Sequence, residues 1–300
     1  MSKAATVKAT LTHAGVEMTA SLVQHRVLST AQVRAIHLPG RGERWAQRLL
    51  SRLAAAGLAG YVKAPRSHGR LWHATELGAR LTREAGMLEG EPRLIGAEDA
   101  AGPLQAHTLA VNDTAICFME AARERGDEFG PFAWRHEVSH LLSRGRGRRR
   151  RRLIADTAFT YLRVEDDGVA IEQRFLEIDR ATLTVDRLAA ELARYAELYR
   201  LAGADGEPLW RSHYPFFPPV HCVLAGGRRA ALERRRSTVL ALLGSDPRLP
   251  RTPEVAISIC LLEDLQSEGP FAPIFLDARD PGRAVDWLGS GGRTARRKRQ

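Results

Sequence analysis

Three carboxylates lie inside apolar segments that alternate like β-strands. Glu177 and Asp179 belong to the segment 175–182, and Asp156 belongs to the preceding segment, 153–162. Side chains two residues apart on a strand point to the same face, so antiparallel pairing of the segments would bring all three carboxylates together. A charged carboxylate is costly in apolar surroundings unless something positive holds it, and hard divalent cations take clustered oxygen ligands. The pattern therefore predicts a divalent-cation site like that of metal-dependent nucleases. The alternative is edge-strand carboxylates that face water or pair with arginines.

A second candidate metal site is the HExxH motif that runs from His136 to His140. On a helix, the two histidines could bind zinc while Glu137 acts as a general base, as in a zinc metallopeptidase. The residues around the motif, 132–138, alternate like a strand, and a strand would destroy that geometry. The alternative is two surface or hydrogen-bonded histidines beside a functional or structural Glu137.

The formal net charge of +10 is unevenly distributed along the chain. Basic residues are concentrated up to Arg83, in an arginine run (Arg144, Arg146 and Arg148–Arg152) and in a C-terminal tail (Arg293, Arg296, Arg297, Lys298 and Arg299), whereas residues 84–137 lean acidic. Basic clusters separated by neutral or acidic sequence indicate a polyanion partner. The alternative is ordinary solvated surface in an arginine-rich chain.

Length and composition bound the class of protein. The chain of 300 residues can bury one sizeable core or two smaller ones. It has no apolar run near the roughly 20 residues that span a bilayer, and its first residues lack an apolar signal core. The three cysteines form no C-x-x-C pair, so we expect buried free thiols in a cytoplasmic protein that does not contact membranes.

Residues 11–81 show the pattern of a winged helix-turn-helix. Helices are predicted at about 10–24, 31–36 and 43–56, followed by a hairpin of strands 61–63 and 71–75 and a helix at 76–84. The third helix carries an apolar face of Trp45, Leu49, Leu50 and Leu53 and a separate stripe of Arg44, Arg48 and Arg52.

In a winged helix-turn-helix the third helix enters the major groove and the hairpin reaches an adjacent groove or the backbone. We therefore predict that double-stranded DNA contacts basic residues of the helix, the hairpin and the arginine run: Arg41, Arg44, Arg48, Arg52, Arg66, His68, Arg70, Arg148, Arg149 and Arg150. The alternative is a winged helix used for protein contacts or dimerisation.

A second domain is predicted after a linker. The winged helix-turn-helix occupies residues 1–85, the Gly-, Glu- and Pro-rich linker 86–103, an α/β domain 104–290, and a basic disordered tail 291–300. Within the α/β domain, helices are predicted at 107–125, 186–199 and 228–243. Strands are predicted at 153–162, 170–178, 219–224 and 255–262, with a last short one at 271–277. This order predicts an α/β sandwich with a mixed sheet.

Six segments distributed over most of the chain carry further motifs: Arg48–Leu58, Leu71–Thr75, His107–Asp113, Trp134–Glu137, Phe175–Thr182 and Leu192–Tyr195. Taken in this order, they resemble the replication-relaxation family of plasmid and integrative-element proteins. The segment 175–182 is the strongest of these matches.

Some members of that family are mobilisation relaxases with a restriction-endonuclease-like core. The resemblance therefore implies that the winged helix precedes a nuclease-like α/β domain of the PD-(D/E)xK type. Carried over by position, Asp156, Glu177 and Asp179 would hold Mg²⁺ or Mn²⁺ as catalytic residues, with Glu137 as a further acid. The chain departs from the pattern at Ala155, where a proline often stands, and at Asp179, where a lysine would orient the nucleophile.

Two functions follow from the resemblance. One is a metal-dependent DNA-nicking relaxase. The other is a non-catalytic winged-helix DNA-binding regulator or accessory factor on a nuclease-like scaffold. Either one could act with other replication or mobilisation proteins.

Overall fold

The computed structural model describes residues 12–63, 69–88, 94–100, 102, 105–143 and 151–289. The chain divides into two compact units. The first contains the described residues up to 119 together with 130–135, and the second contains 120–129 and the described residues from 136 onward.

The first unit combines short helices with a small antiparallel sheet. Its elements are α1 (His13–Gln24), β1 (Leu28–Ser29), α2 (Thr30–His37), α3 (Glu43–Ala55), β2 (Ala59–Lys63), β3 (Arg70–Ala74), α4 (Glu76–Glu84), α5 (Ala97–Ala100) and most of α6 (Gln105–Arg125). The strands lie in the order β1-β3-β2, and both pairings are antiparallel. The helices and the hairpin predicted between residues 10 and 84 are therefore present, while α5 lies inside the predicted linker.

Local sequence signals fix where these helices begin and end. Ser29 and Gln32 form a capping box at the start of α2, in which each side chain accepts a hydrogen bond from the other residue's backbone N–H. Gly57 follows α3 with a φ of +75°, a left-handed conformation that costs glycine little. Helix α3 buries Ala46, Leu50 and Leu53 and leaves its remaining faces half-buried or exposed.

The second unit is built around a seven-stranded mixed sheet. It contains the end of α6, most of β4 (Trp134–Leu141), β5 (Arg152–Glu165), β6 (Gly168–Asp179), α7 (Val185–Ala193), α8 (Tyr195–Arg200), β7 (Val220–Leu224), α9 (Arg229–Ser245), β8 (Ile257–Leu261), α10 (Leu262–Glu268), β9 (Phe275–Asp277) and β10 (Ala284–Val285). The strand order is β10-β9-β8-β7-β6-β5-β4. Strands β5 and β6 pair antiparallel, whereas β6, β7 and β8 run parallel. The predicted mixed α/β class is confirmed.

The core of this unit lies between the sheet and helices α7, α8 and α9. Leu188, Leu192 and Leu240 belong to the same buried cluster as Cys222 and Ile259. Strands β7 and β8 are buried at every position, which is expected of central parallel strands covered on both faces.

Several elements differ from the predictions. The helix predicted at 186–199 is interrupted at Arg194, whose N–H donates to the carbonyl of Glu191 three residues earlier. The segment 132–138, which alternates like a strand, lies largely in strand β4, and β1, α10 and β10 were not predicted. Within the described residues, no helix is long and apolar enough to cross a bilayer.

Candidate functional site

Strands β5 and β6 bring two of the predicted carboxylates together. The register between these strands includes Thr157 opposite Leu176, which places Asp156 and Glu177 next along the two strands. Asp156 Oδ2 accepts a hydrogen bond of 2.7 Å from the backbone N–H of Ile178. Glu177 Oε1 accepts a hydrogen bond of 2.5 Å from the hydroxyl of Tyr195, the first residue of α8.

The protonation of this pair follows from its surroundings. Burial raises the pKa of Glu177 well above its ordinary value, and the nearby Asp156 carboxylate raises it further, although the Tyr195 hydroxyl opposes the shift. Burial and the neighbouring Glu177 raise the pKa of Tyr195 as well. The two adjacent carboxyl groups thus raise each other's cost of ionisation, and the raised pKa of Glu177 reflects that cost.

Asp179 has a different partner. Its side chain is buried, and both of its oxygens accept hydrogen bonds from Arg235 of α9, one of them from Nη2 at 3.1 Å. The backbone N–H of Ala181 donates to the same carboxylate at 3.2 Å. In addition, no group of three His, Cys, Asp or Glu side chains in the described part of the chain could hold a metal ion. This arrangement does not fit the expected three-carboxylate site for Mg²⁺ or Mn²⁺. For Asp179 it matches the alternative of pairing with an arginine.

The HExxH motif lies on strand β4, not on a helix. A spacing of four residues along a strand places the backbones of His136 and His140 about 13 Å apart, too far for both to bind one zinc ion. His140 is buried, packs edge-on against Phe175, and has its Nε2 3.3 Å from the Tyr214 hydroxyl. Burial, followed by the nearby His213, lowers the pKa of His140 to about 4.

Glu137 is exposed on strand β4 and has a φ of +51°. A non-glycine residue in this left-handed region strains the backbone and breaks the regular side-chain alternation of a strand.

A basic cleft lies on the first unit. It has a volume of about 710 Å³ and is lined by Thr30, six residues of α3 (Glu43, Arg44, Gln47, Arg48, Ser51 and Arg52), Arg70 of β3 and the preceding Gly69. We call Arg41, Arg44, Arg48, Arg52 and Arg70 the arginine face. Arg66 and His68, as well as Arg148, Arg149 and Arg150, lie outside the described residues.

The arginine face differs from the arginines of the second unit in its partners. Among the described residues, no carboxylate forms an ion pair with any member of the arginine face. The second unit instead neutralises many of its arginines, as in the pairs of Arg187 with Glu191 and Arg248 with Glu197. The positive charge of the cleft is thus available to an external anion.

Two exposed aromatic rings hold members of the arginine face. The guanidinium groups of Arg41 and Arg48 lie 5.7 and 4.9 Å from the centre of the Trp45 ring. Arg70 lies 4.5 Å from the Tyr61 ring. Such cation–π contacts restrict where a flexible arginine can place its charge.

The prediction that Trp45 belongs to the apolar face of the third helix was wrong. Trp45 is 43% exposed, and the core instead takes Ala46, one residue further along. The missed signal is the spacing of Arg48, which stands three residues after Trp45 on the same helix, where helical neighbours meet, whereas Arg41 lies before the first residue of α3.

A family model described as replication-relaxation matches residues 20–208, more than half of the chain. No curated protein and no solved structure matches the chain.

Proposed function

Because this chain belongs to the replication-relaxation family, we propose that it binds double-stranded DNA during replication, relaxation or mobilisation of a plasmid or integrated element. We further propose that it does so as a non-catalytic factor. The single observation that carries the DNA-binding proposal is the cleft lined by arginines that have no ion-pair partner among the described residues.

The first unit has the element order expected of a winged helix-turn-helix. Three helices interleaved with β1 precede the hairpin of β2 and β3, and the small sheet holds all three strands. In this proposal α3 enters the major groove, where Arg44 and Arg48 contact phosphates and base edges, and the hairpin places Arg70 on the backbone. The duplex then supplies the negative charge that the arginine face lacks.

The second unit serves in this proposal as a nuclease-like scaffold without cleavage activity. The proposal rests on the mixed sheet, on the raised pKa of Glu177 and on the ion pair between Asp179 and Arg235. A cation that takes Asp179 as a ligand would have to compete with the guanidinium of Arg235.

Substitution of Arg44→Ala together with Arg48→Ala tests the DNA-binding proposal. Each lost phosphate contact makes the slope of log K against log salt less steep by about 0.9. The loss of two contacts should therefore lower the affinity about 60-fold at about 0.1 M salt. Fluorescence anisotropy with a labelled duplex from the DNA flanking the native gene measures both quantities. The matched control is Arg187→Ala with Arg211→Ala, which removes the same charge from two exposed ion pairs of the second unit. Equal affinities for the arginine-face variant and the wild type would overturn the assignment.

A supercoiled-plasmid assay tests whether cleavage is absent. We expect no open-circular product with Mg²⁺ or Mn²⁺ on a plasmid that carries the flanking DNA and is bound by the protein. Nicking by the wild type that disappears with Asp156→Ala would refute the non-catalytic role and establish the relaxase alternative.

A further inference from the structure

A second cavity, which we call the histidine cavity, lies entirely within the second unit. It has a volume of about 270 Å³ and is lined by nine residues: Ser139, His140, Leu141, Arg152, Leu198, Leu209, Trp210, Ser212 and His213. They come from the end of β4, the start of β5, α8 and the short 3₁₀ helix Leu209–Ser212.

The lining of the histidine cavity favours an anion. It includes an arginine and two histidines but no aspartate or glutamate. Arg152 Nε donates to Ser139 Oγ at 2.7 Å, and no carboxylate in the described part of the chain forms an ion pair with its guanidinium. The adjacent Arg151, by contrast, is neutralised by Glu197 at 2.9 Å. The fold therefore leaves Arg152 as an uncompensated charge whose Nη groups can still donate.

The two histidines provide polar groups at different depths. His140 is buried and held between Phe175 and Tyr214, so its ring is fixed. His213 is exposed, and its ring centre lies 6.3 Å from that of His140. Together with the hydroxyl of Ser139, these groups could surround a small ligand that Arg152 attracts.

The remaining wall of the histidine cavity is apolar. Leu198, Leu209 and Trp210 contribute apolar surface to a space just below the roughly 300–1,000 Å³ of typical ligand pockets. Trp210 is itself fixed, because its ring stacks on Tyr199 and its Nε1 donates to the Tyr199 carbonyl at 3.1 Å. A ligand with one anionic group and one flat or apolar group matches a cavity that has one polar and one apolar side.

We propose that the histidine cavity binds the phosphate monoester group of a single nucleotide. Arg152 makes charge-assisted hydrogen bonds to the phosphate, Ser139 and His213 add further hydrogen bonds, and the wall of Leu198, Leu209 and Trp210 contacts the sugar or base. A free nucleotide and the 5′-phosphorylated end of a DNA strand present this same chemistry. The volume excludes a duplex.

Calorimetric titration of the full-length chain tests the proposal with four probes: inorganic phosphate, deoxyadenosine 5′-monophosphate, and a short single-stranded oligonucleotide with or without a 5′-phosphate. We expect phosphate-dependent binding that Arg152→Gln weakens about tenfold or more, since a charge-assisted hydrogen bond is lost. Arg187→Gln removes an equal charge outside the cavity and should leave binding unchanged.

The arms of the experiment separate the two sources of the phosphate. Binding of the mononucleotide but not of the 5′-phosphorylated oligonucleotide identifies a free nucleotide, and the reverse identifies a DNA end. A phosphate response that Arg152→Gln and Arg187→Gln reduce equally would overturn the proposal, as would no response to any probe by the folded protein. His213→Ala, at the exposed rim, gives a second variant in case Arg152→Gln does not fold.

The histidine cavity can be tested independently of the duplex-binding proposal. Arg44→Ala with Arg48→Ala should weaken duplex binding about 60-fold and leave nucleotide binding intact. Arg152→Gln should weaken nucleotide binding about tenfold or more and leave duplex binding intact.

Discussion

Replacement of Asp179 distinguishes a structural ion pair from a cation ligand. In Asp179→Ala, the guanidinium of Arg235 loses its carboxylate partner and keeps the Leu183 carbonyl, to which Nη2 donates at 2.7 Å. Only 12% of the Arg235 side chain and 1% of the Asp179 side chain are exposed, so water replaces little of the lost interaction. Breaking a buried ion pair from one side costs about 3–5 kcal/mol. For a unit of about 150–250 residues this corresponds to a melting temperature lower by about 6–20 °C.

Urea unfolding followed by circular dichroism measures this loss, with and without Mg²⁺. The control is Asp167→Ala, which removes an exposed carboxylate in the turn between β5 and β6. The double variant Asp179→Ala with Arg235→Ala should lose less stability than the sum of the single variants, because each single change already removes the shared interaction. If Asp179→Ala keeps wild-type stability but loses binding of Mg²⁺ or Mn²⁺, the structural reading is wrong and Asp179 is a cation ligand.

Three further predictions concern the other candidate residues. Glu177→Gln should stabilise the protein at neutral pH and lose this advantage as the pH falls towards 4.5. The raised native pKa of Glu177 makes the folded state bind more protons than the unfolded state, so wild-type stability declines as the pH rises above the unfolded pKa. Urea titrations of both proteins at pH 4.5 and 7.5 measure the gain in stability, and an equal gain at both pH values would contradict the prediction. Trp45→Ala should weaken duplex binding about 5- to 30-fold, because two cation–π contacts worth about 0.5–1 kcal/mol each are lost. The slope of log K against log salt should stay the same, because no cation is lost. A changed slope would show that Trp45 does more than position Arg41 and Arg48. EDTA should leave the melting temperature unchanged, and elemental analysis should find no stoichiometric zinc, since strand β4 separates His136 from His140. Zinc that is present in the wild type and lost in His140→Ala would revive the metallopeptidase alternative.

Much of the first unit could be predicted because its signals are local. The capping box of Ser29 and Gln32, the glycine after α3 and the arginine spacing on α3 act within one or two helical turns. The exposure of Trp45 could not be predicted in this way. Leu49, Leu50 and Leu53 lie on adjoining sides of α3, and only packing against the rest of the unit decides which side is buried.

The carboxylates show the same division between local and tertiary information. The sequence by itself determined that Asp156, Glu177 and Asp179 lie on neighbouring strands of a mixed sheet, because strand periodicity and short hairpins are set by adjacent residues. Only the tertiary structure decided their partners. Arg235 lies 56 residues from Asp179, and Tyr195 lies 18 residues from Glu177. The crossover helices α8 and α9 bring these groups to the sheet, and the free energy of burying a carboxylate depends on whichever donor arrives there.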